Sequence, residues 1–254
     1  SPEIRPLVTF DFRHGDIYRL IGFSSLLDAE DYRQLGATYD ASLAYQDEWL
    51  GRLIDGVRDR GLLGDTVVIV VSDHGENLGD HGGLLGHAFS VHQTLIHVPL
   101  VIRYPTVFPP GQRHQGVVST TSLFRTILDL ADAEPDPSWP PNVGPLPTSN
   151  STDSVPAITE YAVPVWELYN LAVEARGVDI GPMIVRTQAI QNDNWKIIRT
   201  SDGSVRLYDL ENDPIEMKPL DPAASEEGRI LLEQMKAELD VLVPPQLSSI
   251  DSPS

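Results

Sequence analysis

Five of the seven histidines in this 254-residue chain fall within Val71–Pro99. The first of them, His74, stands beside Asp73 in the run Val71-Ser-Asp-His-Gly-Glu-Asn-Leu-Gly-Asp-His-Gly82. An adjacent carboxylate and imidazole suit a divalent cation: the oxygen favours Ca2+, Mg2+ or Mn2+, and the nitrogen keeps Mn2+ and Zn2+ open. Two protein ligands are too few for a tight site, so more must come from elsewhere in the chain or from upstream of it. The plainer alternative makes Asp73 a turn-capping residue and His74 a satisfied loop histidine. Flanking glycines that permit close backbone approach, together with His81, His87, His92 and His97, favour a site. His87, in Leu85-Gly-His-Ala-Phe-Ser90, is placed to donate a hydrogen bond to an anionic substrate or to protonate a leaving oxygen. His92 and His97 run into the next apolar segment and read as structural or peripheral.

The elements that must position these residues are visible in the periodicity. Thr66-Val-Val-Ile-Val-Val-Ser72 is uninterrupted and β-branched, the pattern of a strand covered on both faces. In open α/β sheets ligands gather at the carboxyl ends of such strands, which is where Asp73 and His74 fall. Over positions 29–60, Leu35, Tyr39, Leu43, Trp49, Leu50, Leu53, Ile54 and Val57 recur at three to four residues, predicting a helix that Gly61 ends. A further buried strand is expected at 7–12, a second one after the histidine cluster at 96–103, and a short helix at 122–131. This alternation predicts an α/β fold with a mostly parallel central sheet flanked by helices. Positions 134–154 are rich in Pro, Ser, Asn and Thr and read as a linker, so two domains are expected, 1–148 and 149–254. Beyond it, strands are expected at 157–163, 183–190, 195–200 and 205–210, with Asp202-Gly203 turning the last two into a hairpin. A helix at 226–243, with Ile230, Leu231, Met235, Leu239 and Leu242 on one stripe, completes a small antiparallel sheet plus helix.

Composition removes several classes of function. With 41% hydrophobic and 22% charged residues the chain can build one large core or two smaller ones. No stretch approaches the roughly 18 consecutive apolar residues of a membrane span. Zero cysteines exclude a disulfide framework, a thiolate metal site and a cysteine nucleophile within these residues. Asp and Glu (37) outnumber Lys and Arg (18), and the net charge of −19 repels phosphate backbones, so no nucleic-acid partner is expected. The chain opens at Ser1-Pro2 without Met and is already in an apolar run by Leu7, as expected of a chain cut into mid-domain. Neither localisation nor oligomeric state is legible.

Ser72-Asp-His-Gly-Glu-Asn-Leu-Gly-Asp-His-Gly82, then Gly86-His87 and His97-Val-Pro-Leu-Val-Ile-Arg-Tyr-Pro105, resemble the second signature region of the sulfatases within the alkaline phosphatase superfamily. Tyr39–Asp47, Ser119–Ala131, Trp195-Lys-Ile-Ile and Leu207-Tyr-Asp-Leu-Glu-Asn-Asp-Pro214 are similar to the flanking elements of that family. The resemblance implies part of an alkaline-phosphatase-like fold and a metal-dependent sulfuric ester hydrolase acting on a small-molecule or carbohydrate sulfate ester. It makes Asp73 and His74 the second pair of metal ligands, with Ca2+ the expected ion. It sets His87 at the lysine-or-histidine position that contacts the sulfate or the ester oxygen. It also aligns His14, in Phe12-Arg-His-Gly-Asp-Ile-Tyr18, with a histidine that often follows a strand. The family's first metal-binding aspartates and its Cys/Ser-x-Pro-x-Arg motif, source of the formylglycine nucleophile, have no counterpart here. The expectation is therefore the second half of a sulfatase, inactive by itself, whose nucleophile lies upstream. The alternatives are a phosphonate or phosphate ester hydrolase or phosphotransferase of the same superfamily, and a non-catalytic metal-binding relic.

Overall fold

A computed structural model describes residues 27–134, 144–148, 155–162 and 185–243. The strand expected at 7–12, most of the 134–154 linker and the start of the strand expected at 183 lie outside them. The chain divides into two compact units, residues 1–104 with 161–186, and residues 105–160 with 187–254.

The first unit opens with α1 (Ala29–Asp59), whose N-terminus is a reciprocal cap. The Asp28 carboxylate accepts from the Glu30 and Asp31 amides, and the Asp28 amide donates back to Asp31 Oδ2 at 3.0 Å. Gly61, with φ of 73°, follows its end as the sequence predicts. Strand β1 (Val68–Val71) pairs antiparallel with β4 (Leu100–Arg103), Val68 opposite Arg103 and Val71 opposite Leu100. An Arg103 guanidinium nitrogen donates to the Leu63 carbonyl at 2.6 Å, tying β4 to the turn before β1. Between these strands lie a short hairpin, β2 (Asn77–Gly79) with β3 (Leu84–Gly86), and one helical turn, α2 (Gln93–Ile96).

One expectation changes here, and two more are not met among the described residues. The apolar run from Ile96 does not begin as a strand, because Leu95 and Ile96 donate to the His92 carbonyl and close α2. Pro99, which has no N–H for a ladder, then delays β4 to Leu100. The mostly parallel central sheet is also not seen among the described residues, where β1 has an antiparallel partner. Nor is β1–β4 covered on both faces there, since Val71 is 41% and Val101 60% exposed.

The second unit contains α3 (Ser122–Leu130) and a four-stranded sheet in the order β5 (Ala157–Tyr161), β6 (Thr187–Gln191), β7 (Trp195–Thr200), β8 (Val205–Asp209). The pairs β6–β7 and β7–β8 are antiparallel. The β7–β8 turn is a three-residue loop: the Thr200 amide donates to the Ser204 carbonyl, and Gly203 alone takes a positive φ, 91°. Asp202 seals it by accepting from the Thr200 hydroxyl and the Ser204 amide. Helix α4 (Glu226–Leu242), capped by the Ser225 hydroxyl, lays Met235 and Leu239 on Ile190, Ile197 and Leu207. Each such buried side chain contributes about 1.5–3 kcal/mol relative to exposure. Within the same unit Lys196 Nζ meets Glu216 Oε1 at 2.7 Å, both side chains 0% exposed. Among the described residues no helix is long and apolar enough to cross a membrane.

Candidate active site

The chain leaves β1 at Val71 and immediately makes a tight, self-bonded turn. The Ser72 hydroxyl donates to the His74 carbonyl at 2.6 Å, and Asp73 Oδ1 accepts from the His74 amide at 3.0 Å. Gly75 then passes so close to α2 that an added Cβ would sit 2.0 Å from the Thr94 carbonyl oxygen. Its amide donates to the Leu95 carbonyl at 2.7 Å. Two residues on, fully buried Asn77 accepts from the Thr94 hydroxyl at 2.7 Å. Residues 75–77 are thus clamped along α2, which holds His74 and Glu76 between fixed points.

The hairpin that follows returns the chain to the same place. Gly79, at φ 105°, lies under the Tyr32 ring of α1, 2.5 Å from where its Cβ would be. His81 (φ 48°) and Gly82 (φ 89°) reverse direction with left-handed backbone, and Gly86 at φ 80° releases His87. The His87 ring stacks on His74, centroids 4.3 Å apart and planes 18° apart. Its Nδ1 lies 3.3 Å from Glu76 Oε2. His74 Nδ1 lies 2.8 Å from the Gly75 carbonyl. A carbonyl only accepts, so Nδ1 carries the proton and Nε2 keeps its lone pair. That Nε2 is 3.6 Å from Asp73 Oδ2.

Side-chain exposure is 86% for Asp73, 41% for His74, 49% for His87 and 22% for Glu76. Asp73 and His74 therefore offer one oxygen and one oriented nitrogen on the same side, with open space around the carboxylate. This donor pair fits one face of a divalent-ion shell and leaves room for further ligands. The His74 tether to a backbone carbonyl is the outer-shell arrangement that metal-binding histidines use.

The structure brings Asp73, His74 and His87 together, while His14 lies outside the described residues. His92 is buried and stacks on His81, centroids 3.7 Å apart, and His97 is exposed. Glu76 is the neighbour the sequence reading missed. Its signal was the spacing Asp-His-Gly-Glu, which projects a second carboxylate two residues beyond His74, but only the returning hairpin supplies its partner.

The family model for Sulfatase matches residues 17–133, a span that includes Asp73, His74 and His87. Arylsulfatase K of Xenopus laevis is 32% identical over 197 residues, which cover 74% of this chain and 34% of that protein. The chain thus spans about a third of the length of this curated relative. Among solved structures, the phosphonate monoester hydrolase of Agrobacterium radiobacter superposes with a TM-score of 0.66 at 24% identity, covering 85% of this chain and 42% of that one. A protein solved in complex with its substrate D-glucosamine-2-N,6-O-disulfate gives 0.64 at 21% identity, with the same coverage of 85% and 42%. The chain shares its fold with 42% of each of these solved chains, as part of an alkaline-phosphatase-like fold. Within that class, the chain belongs to the sulfatase family.

Proposed function

We propose that the complete protein hydrolyses sulfate esters of small molecules or carbohydrates, and that this chain supplies half of its metal and substrate site. Asp73 and His74 would hold the cation, Ca2+ by family resemblance, with Mn2+, Mg2+ and Zn2+ compatible with the nitrogen donor. A divalent ion bound there supplies Lewis-acid charge to the tetrahedral sulfate. The nucleophile, a formylglycine in this reading, comes from sequence outside these 254 residues, which contain no cysteine.

The chain's own residues orient and donate. The Gly75 carbonyl fixes the His74 ring so that Nε2 faces the Asp73 carboxylate. Glu76 draws His87 Nδ1 toward itself, leaving His87 Nε2 to contact a sulfate oxygen or the departing ester oxygen. We further propose that the β1–β4 pair is part of a larger, mostly parallel sheet, a reading supported by its half-exposed apolar faces.

The observation that carries the reading is the return of His87 onto His74, across 13 residues, at the end of an apolar strand. In the complete protein, Asp73→Asn and His87→Ala should each lower kcat/KM for an aryl sulfate by about a hundredfold or more. The 254-residue chain alone should turn over no aryl sulfate. Turnover by the chain alone that Asp73→Ala abolishes would overturn this division of labour. A second reading, phosphonate or phosphate ester hydrolysis, is favoured by the likeness to the Agrobacterium enzyme, because both ester types present a tetrahedral anion.

A further inference from the structure

We propose that His74, Glu76 and His87 form a second cation site, suited to a borderline ion such as Zn2+ or Co2+, which shares His74 with the Asp73 pair. One ligand atom from each of the three lies within 4.8 Å of the others. The Glu76 Oε2 to His87 Nδ1 separation is 3.3 Å. A tetrahedral zinc with bonds of about 2.0–2.1 Å has ligand-to-ligand edges of about 3.3–3.4 Å, so this edge of the polyhedron is already at length. His74 is prepared as a ligand by its Nδ1 bond to the Gly75 carbonyl, which leaves the Nε2 lone pair for metal.

The stacked rings, whose planes are only 18° apart, must swing well out of the stack for a single ion to lie in both ring planes. Both imidazoles are about half exposed and have room to turn. Their backbone does not move with them: Gly75 and Asn77 are fastened to α2. Two imidazoles and one carboxylate prefer Zn2+ or Co2+ to Ca2+, whereas Asp73 supplies a harder donor. Occupancy of the triad engages His87, so a borderline ion inhibits the hydrolysis proposed above; that consequence rests on the sulfatase reading, while the site itself rests only on this chain. The plain alternative is an exposed Glu76–His87 ion pair, which is worth at most about 1 kcal/mol and binds nothing.

The test is a Zn2+ titration of the metal-free 254-residue chain by calorimetry, together with the visible spectrum of its Co2+ adduct. The proposal expects one ion per chain and a ligand-field spectrum of low coordination number. Glu76→Gln and His87→Gln should each weaken Zn2+ by more than about a hundredfold, beyond the roughly 10–100-fold that outer-shell changes alone produce. Asp73→Asn should leave Zn2+ affinity nearly unchanged. Circular dichroism of each variant verifies that the fold is intact. Zn2+ binding that survives both Glu76→Gln and His87→Gln, or that depends on Asp73 as strongly as on Glu76, overturns the proposal. A parallel Ca2+ titration separates the two readings: Ca2+ binding indifferent to Asp73→Asn sinks the Asp73–His74 assignment while the triad stands.

Discussion

Gly75→Ala would set a methyl carbon 2.0 Å from the Thr94 carbonyl oxygen and 3.3 Å from the Leu95 Cα. Ordinary contact begins near 3.4 Å, so the two segments must part by about 1.4 Å, from 3.4 minus 2.0. No flexible side chain can absorb this, because both obstacles are backbone atoms of α2. Separation of that size also stretches the 2.7 Å bond from the Gly75 amide to the Leu95 carbonyl beyond hydrogen-bonding range. Overpacking costs about 1–3 kcal/mol and the lost bond about 0.5–1.5 kcal/mol, for a sum of about 1.5–4.5 kcal/mol. In a chain of this size each kcal/mol lowers Tm by about 2–4 °C, so a fall of about 3–18 °C is expected. His74 and Glu76 flank the displaced residue, so divalent-metal affinity should fall with Tm. Thermal unfolding followed by circular dichroism, with a metal titration on the same samples, measures both. Gly64→Ala, where an added Cβ meets nothing within 4 Å, is the control. A Gly75→Ala protein that melts with its parent and binds metal equally well would refute the clamp.

Other substitutions probe the remaining structure. Lys196→Met strands the Glu216 carboxylate in the core and should cost about 3–5 kcal/mol in urea unfolding, while Lys196→Met with Glu216→Leu should recover most of that loss. Burial pulls the Lys196 ammonium below its ordinary pKa and the Glu216 charge pushes back, so the charged lysine depends on its partner. Hydrogen bonds from Thr200 and Ser204 hold the Asp202 carboxyl below the usual carboxylate range. Its contribution to the hairpin is therefore full above the unfolded value of about 3.9 and lost as pH falls through the lower folded value; Asp202→Asn should remove that acid sensitivity from a pH series of unfolding curves. Gly51→Ala in α1, where the new Cβ meets nothing within 4 Å, should raise stability by about 0.5–1 kcal/mol in the same assay.

Elements with a strong local signal were legible in the residues. Apolar periodicity and Gly61 located α1, and Asp202-Gly203 with its flanking strands located the β7–β8 hairpin and the α4 stripe that covers it. That Asp73 and His74 follow the end of a strand was legible because they come directly after an uninterrupted β-branched run. What was not legible depends on tertiary contacts. The stretch 75–86 folds as a hairpin, because left-handed backbone at His81 and Gly82 lets Asn77–Gly79 meet Leu84–Gly86. The approach of Glu76 to His87 follows from that return and leaves no periodic trace. The apolar residues from Ile96 look like a strand from the start, yet bonds to His92 hold Ile96 in a helical turn. The parallel sheet was inferred from the alternation of strand-like and helix-like segments, a pattern that does not record the direction of each strand's neighbour.

The most direct test of the central claim is the substrate preference of the complete protein. Steady-state kcat/KM should be measured for an aryl sulfate and for a phosphonate monoester of the same aryl group, with and without Asp73→Asn. The account predicts that the sulfate is the better substrate and that Asp73→Asn lowers its kcat/KM by about a hundredfold or more. Turnover of the phosphonate with none of the sulfate, or sulfate turnover indifferent to Asp73, would contradict it.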